Sequence, residues 1–353
     1  RARASASARR RLRRPGPRAP TAPAGMGNFL DAPLVDKQTD VAADPAKRIW
    51  VGVSCMQGWR AQMEDSHLLR LSVDDGGELS LFGVFDGHGG DHVARYTANH
   101  VERFLKASEH FGPPFTPARL AAAFKGAILA LDSELRKLPE HVAGGDQSGS
   151  TLTMVSVTRD TITCANTGDS RSVLSRGGVA LDLSNDHKPF LAEEKTRIEN
   201  AGGHVKFNRV NGDLAVSRAL GDFAYKNRED MGAESQQVTA DPEVISQARH
   251  ADDEFVVLAC DGIWDVMSSQ ECVSYVARLL RADAPPPGEV AAPPMDGDEA
   301  GPGAAPRTPP RPWDVGAVCE ALLDRCLEKG SRDNMSAVIV VLRPELAPGS
   351  EER

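Results

Sequence analysis

The chain has 353 residues, enough for one large domain or two medium ones with a sizeable core. Apolar residues are 41% and charged residues 26%, as in soluble globular proteins, while only 5% aromatics implies a mostly aliphatic core. No apolar run approaches the roughly 20 residues that a spanning helix needs, which excludes an integral membrane protein of that kind, and a net charge of −9 argues against bulk nucleic-acid binding.

The charge is uneven along the chain. Residues 1–25 hold eight Arg and no acid; taking those eight from the 41 basic residues leaves 33 against 50 acids, a balance of −17 for residues 26–353. The Arg-, Ala- and Pro-rich start cannot build a core. It is expected to be a disordered segment, either an organellar transit peptide or a translated upstream segment, with Met26 favoured as the natural start. Gly27 would then be a candidate acylation site, giving weak membrane association, although Asp31 stands where such a motif carries Ser or Thr. Residues 26–47 form a lead-in.

From there the signals alternate. Strand-like runs fall at 49–55, 79–85, 152–157, 161–166, 172–175, 254–260 and 336–342. Helix-like runs fall at 91–108, 117–137, 189–201, 268–281 and 315–329. The strands cluster in twos and threes joined by short Gly- or Asp-containing turns, which predicts an α+β fold with antiparallel sheet. A Pro-, Gly- and Ala-rich stretch at 282–312 reads as a disordered insertion inside one domain spanning 48–343, with a tail at 344–353. The six cysteines, at 55, 164, 260, 272, 319 and 326, make no C-x-x-C pair. They read as reduced, mostly buried thiols of an intracellular protein.

Four acids share one context, an Asp at the end of an apolar strand, before a Gly or a turn: Asp86 (before Gly87-His88-Gly89-Gly90), Asp169, Asp261 (with Asp265 following) and Asp333. The pair Glu64-Asp65 follows Trp59-Arg60. One such Asp is more often a turn residue than a ligand. Several carboxylates brought together would repel and resist ionisation, so a convergent set implies a divalent cation; all-oxygen ligation selects Mg²⁺ or Mn²⁺ over zinc. Among nine histidines, His88 sits inside an acidic Gly-rich turn and is suited to general-acid work. His187 is a second polar-loop candidate, and the other seven read as surface or satisfied structural residues. Arg60 is either a phosphate ligand or a surface partner of Glu64. Metals, an Arg and a His acid together suggest phosphoester hydrolysis. Two decoys fail: Cys319 and Arg325 have cysteine-phosphatase spacing but lie in a helical pattern, and 144–151 resembles a P-loop with Ser150 in place of Lys.

The motifs Gln57-Gly58-Trp59-Arg60, Met63-Glu64-Asp65, Phe85-Asp86-Gly87-His88-Gly89-Gly90, Asp146-Gln147-Ser148-Gly149-Ser150-Thr151, Gly168-Asp169-Ser170-Arg171 and Asp186-His187-Lys188-Pro189 resemble the metal-dependent Ser/Thr protein phosphatases of type 2C. The likeness continues through Val210-Asn211-Gly212, 214–222, 259–266 and 330–335, and covers about 48–343. Met26-Gly27-Asn28-Phe29 looks like the start of the animal alpha-type members, but their extra C-terminal helical domain is not expected here. The resemblance implies two stacked antiparallel sheets flanked by helix pairs, a four-layer α-β-β-α sandwich. It implies a dinuclear Mg²⁺ or Mn²⁺ centre bridged by Asp86. Glu64 and the Gly87 carbonyl would hold one ion and Asp261 and Asp333 the other. Asp169 and Asp265 would serve a weaker third, and Asp65 would stand behind the ligands. Arg60 would bind substrate phosphate, Arg209 would lie on the substrate side of a flap at 189–222, and His88 would protonate the leaving oxygen. A water between the two metals would attack phosphorus without a phosphoenzyme.

The expected function is therefore hydrolysis of phosphoserine and phosphothreonine in proteins by a monomer of the cytoplasm or nucleus. Its partners would be phosphorylated proteins, with no nucleic acid and no transmembrane segment. A non-catalytic docking module and a hydrolase of small phosphoesters are the competing readings.

Overall fold

The computed structural model describes residues 29–282 and 314–342. The expectations for 1–25, Gly27, 283–312 and 344–353 lie outside the described residues. In chain order the first elements are β1 (Phe29–Asp44), β2 (Ile49–Arg60), β3 (Ser66–Arg70), β4 (Ser80–Phe85), β5 (Gly87–His88), α1 (His92–Ala107), α2 (Pro117–Leu135) and α3 (Pro139–Val142). Next come β6 (Gly149–Ser150), β7 (Leu152–Val157), β8 (Thr161–Thr167), β9 (Arg171–Arg176), β10 (Val179–Asp182), α4 (Ala192–Asn200), β11 (Val205–Lys206), β12 (Arg209–Val210) and β13 (Leu220–Gly221). The last are β14 (Glu243–Ala248), β15 (Asp253–Ala259), α5 (Asp261–Trp264), α6 (Ser269–Ala282), α7 (Val315–Glu328) and β16 (Met335–Val341).

Two antiparallel sheets dominate. One has the order β1-β2-β16-β15-β9-β10, the other β14-β8-β7-β4-β3. Strand periodicity explains how they stack. On β15, Val256 and Leu258 face a core shared with Val51 and Val53 of β2, Phe82 and Val84 of β4, and Val155 of β7. Their neighbours Phe255, Val257 and Ala259 point the other way, onto α6 and α7. Leu81, Leu152 and Met154 of the second sheet likewise pack under α1 and α2. The result is the four-layer α-β-β-α sandwich. β7, β8, β15 and β16 are buried along their whole length, with both faces covered; β15 and β16 carry long apolar runs, while Thr and Ser side chains interleave the apolar residues of β7 and β8.

The helices begin where the chemistry of their caps allows. The Thr116 hydroxyl accepts from Arg119 N ahead of Pro117, and the Asp314 carboxylate accepts from Ala317 N. The helical pattern expected from residue 189 starts at Ala192, because Pro189 and the extended Leu191 precede it. Ala282, placed in the insertion by its composition, ends α6. The lead-in at 26–47 contains β1, a 16-residue strand that pairs with β2 from Phe29↔Arg60 to Asp44↔Ile49. All six cysteines are free and buried. Among the described residues no helix is long and apolar enough to cross a membrane.

Candidate functional site

The sandwich architecture brings the acids to one edge. β4 runs into Asp86 and β15 runs into Asp261. Asp333 precedes its strand instead of ending one; because β16 is antiparallel to β15, the start of β16 and the end of β15 meet at the same edge. Glu64, Asp86, Gly87, His88, Asp169, Asp261 and Asp333 line one cleft of about 690 Å³ together with Arg60 and Arg209. Asp65 lies behind that lining. Asp265 is exposed, one turn beyond Asp261, and lines a separate neighbouring recess with Gly262 and Asp333.

The carboxylates are short of counter-charge. Burial, then the charges of Asp261, Asp65, Asp169 and Asp333, hold the Asp86 carboxyl well above the usual carboxylate range. Asp261 is raised in the same way, by burial and by Asp169, Asp333 and Asp265, with Lys188 acting against. Burial raises Asp265 too, opposed by Lys188. Asp65 is pushed up to about 7 by burial, although Ser336 Oγ donates to its Oδ2 at 2.6 Å; its Oδ1 is buried with no partner. Two cations pair directly with the cluster. Lys188 Nζ donates to Asp169 Oδ2 at 2.5 Å. Arg60 Nη2 donates to Asp333 Oδ2 at 2.5 Å, and this is the ion pair that sequence had offered to Glu64. Arg60 Nε is buried without a partner. Glu64 is instead fixed through its backbone, Glu64 N donating to Asn334 Oδ1 at 2.9 Å.

Close backbone packing explains two glycines. A Cβ on Gly87 would lie 2.3 Å from the Glu64 carbonyl oxygen. One on Gly149 would lie 2.2 Å from Asp222 Oδ2 and 2.4 Å from His88 Nε2. That space belongs to a hydrogen bond, His88 Nε2 to Asp222 Oδ2 at 2.7 Å. Burial alone would lower the His88 pKa; the charge and hydrogen bond of Asp222, with Asp169 and Glu64, outweigh it and raise it. Asp222 is buried and left-handed, with φ of 50°. Gly221 N donates to Asp132 Oδ1 of α2 at 2.8 Å, which ties down the residue before it.

The flap, residues 189–222, has its own small core of Ile198, Val210, Val216 and Ala219. Arg209 is exposed there and donates from Nη1 to the Asp213 carbonyl at 2.6 Å. His187 is a structural residue: its Nδ1 accepts from Gly168 N at 3.1 Å. Three residues passed over as site members, His92, His141 and Asp146, each offer a ligand atom within 4.8 Å of the other two. His92 and His141 had been read as surface or satisfied structural histidines, and His141 Nε2 is in fact buried without a hydrogen-bond partner. Asp222 and Lys188 carried no signal beyond their place in family motifs, since their partners are far away in sequence.

Residues 49–335 match the family described as protein phosphatase 2C. The chain is 40% identical over 326 residues to protein phosphatase 2C homolog 2 of Schizosaccharomyces pombe, covering 89% of this chain and 78% of that protein. It is 40% identical over 325 residues to protein phosphatase 1B of Rattus norvegicus, covering 89% and 75%. A crystal structure of a phosphatase from Toxoplasma gondii superposes with a TM-score of 0.68 at 25% identity, covering 88% of this chain and 96% of that one.

Proposed function

Since the chain belongs to the protein phosphatase 2C family and is a protein Ser/Thr phosphatase, we propose that it hydrolyses phosphoserine and phosphothreonine with Mg²⁺ or Mn²⁺ held by the acids of this cleft. The family is metal-dependent. What supports the reading here is one observation: Glu64, Asp86, Asp169, Asp261 and Asp333 converge on a single cleft, where burial and neighbouring carboxylates raise the Asp86 and Asp261 carboxyl groups above their usual range. Oxygen donors in that number suit hard divalent ions. Asp86 would be shared between two ions, with Glu64 and the Gly87 carbonyl on one side and Asp261 and Asp333 on the other. Asp169 and Asp265 would serve a weaker third, and Asp65, bonded to Ser336, would support the set from behind.

When bound, the ions supply an acidified water as nucleophile and offset charge on the phosphoryl oxygens, so no covalent phosphoenzyme is required. The chain's own groups do the rest. Arg60, anchored at one nitrogen by Asp333 and lining the cleft, binds the phosphate dianion. Asp222 occupies Nε2 and raises the His88 pKa, and the remaining ring nitrogen delivers the proton to the seryl or threonyl oxygen as it leaves. Arg209, on the flap side of the cleft, meets the substrate protein.

The test is turnover of a phosphothreonine peptide with Mn²⁺. Chelation with EDTA and the substitution Asp261→Asn should each lower kcat by at least about 100-fold, the loss of roughly 3 kcal/mol of transition-state stabilisation. Full activity of Asp261→Asn would remove Asp261 from the centre.

A further inference from the structure

His92, in the first turn of α1, His141, in the short helix α3, and Asp146, in the loop leading to β6, meet on one wall of the catalytic cleft, which His141 and Asp146 both line. His92 Nδ1 bonds to Asp146 Oδ2. The two imidazole rings stack with centroids 5.5 Å apart. His141 is the residue that hydrogen bonding leaves unexplained. Its side chain is 3% exposed and its Nε2 has no hydrogen-bond partner. Its other nitrogen, Nδ1, is 3.2 Å from the Asp146 carbonyl oxygen, which can only accept, so Nδ1 carries the hydrogen. In the neutral ring Nε2 therefore presents a lone pair, and it faces Asp146 Oδ2 at 3.6 Å. A lone pair aimed at a carboxylate oxygen is a buried mismatch, and at that separation a proton on Nε2 would make no hydrogen bond either.

We propose that His92, His141 and Asp146 bind a divalent transition metal of the zinc class, at a site distinct from the acid cluster. A cation between these atoms satisfies the His141 lone pair and the Asp146 charge at once. Two imidazoles and one carboxylate suit Zn²⁺, Co²⁺ or Ni²⁺, whereas Mg²⁺ prefers the all-oxygen set across the cleft. The ligands are already oriented from behind, as metal ligands commonly are: His141 Nδ1 by the Asp146 carbonyl, and Asp146 Oδ1 by Ser148 N at 2.9 Å. Water completes the coordination from the cleft. The positive end of α1 disfavours a cation, which makes Asp146 the ligand on which the site depends most. The metal would pin α1, α3 and the loop before β6 together. The His141 and Phe223 rings meet in a T-shaped contact with centroids 5.0 Å apart, and Phe223 is the neighbour of Asp222, so the pin reaches the residue that holds His88.

The test uses the full chain in saturating Mg²⁺, dialysed to equilibrium against Zn²⁺, with X-ray absorption at the zinc edge. Wild type should retain one Zn²⁺ more than H92Q, H141Q or D146N, with an imidazole scattering pattern that the variants lose and the largest loss in D146N. Melting in Mg²⁺ alone identifies any variant that fails to fold. H92Q alters a ring at the cleft wall and D146N is isosteric, so these two decide the matter if H141Q unfolds. Equal Zn²⁺ in wild type and the folded variants, or a zinc shell of oxygen atoms alone, would overturn the proposal. Neither readout depends on phosphatase turnover.

Discussion

At His88 two opposing effects meet, and the sign of the outcome decides its chemistry. Burial favours the neutral ring, but Asp222 2.7 Å away wins and raises the pKa. A general acid works only while protonated, so the rate should fall as pH rises through that pKa. Asp222→Asn removes the charge and keeps a side chain of the same shape. The basic limb of the kcat profile on a phosphothreonine peptide should therefore move to lower pH, while aryl phosphates, whose leaving groups need little protonation, change much less. A basic limb that stays in place would refute the pairing. His88 was legible in sequence because it stands between glycines after an acid. Asp222 was not: 134 residues separate the two, and Leu220–Asp222 by itself signals only a turn. Gly149 is similar, its need for a bare Cα being set by both members of that distant pair.

The flap shows how an element can be held through a single residue at its root. His187 Nδ1 accepts from Gly168 N, His187 N donates to the Gly168 carbonyl at 2.9 Å, and Ser217 Oγ donates to the His187 carbonyl at 2.9 Å. Burial, helped by the charge of Arg218, lowers the His187 pKa to about 4. An unfolded histidine titrates near 6.5. Between about pH 6.5 and 4 the unfolded chain therefore binds the extra proton, and stability falls as pH falls. Below that, Glu194, held at about 2 against burial by Arg218 and Arg197, extends the loss. In urea unfolding at one fixed Mg²⁺ concentration, wild type should lose stability relative to His187→Asn, which keeps an acceptor for Gly168, between pH 6.5 and 4. A difference that stays constant over that range would mean another group carries the loss. The main strands of both sheets were legible because two covered faces leave them rich in apolar and β-branched residues between turn signals, as in Leu152–Val157 and Asp253–Ala259. β1 was not, because it is an edge strand: Asp31, Asp36, Lys37 and Asp40 interrupt its pattern, and its partner β2 supplies the pairing.

Across the whole molecule, Glu64, Asp86, Asp169, Asp261 and Asp333 meet where strands of the two sheets end together. Each acid was visible beside its own strand; their convergence was not, since it follows from strand pairing that no local signal encodes. That convergence links metal, proton and stability. With no ion bound, burial pushes the Asp65 carboxyl up to about 7, and burial and mutual repulsion raise Asp86 and Asp261 well above the usual carboxylate range. Unfolded, these groups titrate near pH 4. From about pH 4 to 7 the ion-free folded chain thus binds more protons than the unfolded one, and this contribution to stability falls as pH rises. Mg²⁺ reverses it, because only ionised carboxylates ligate the metal, and protons and Mg²⁺ compete for the same oxygens. The increase in Tm produced by saturating Mg²⁺ should accordingly be small at pH 5 and grow towards pH 8, by about 2–4 °C for each kcal/mol of linkage in a chain of this size. Comparing Tm with and without Mg²⁺ at each pH cancels the acid-labile flap, which is the same in both samples. An Mg²⁺ shift that is equal at pH 5 and pH 8 would mean that the acids are ionised without the ion, and the cleft would then need another source of positive charge before a phosphate dianion could enter.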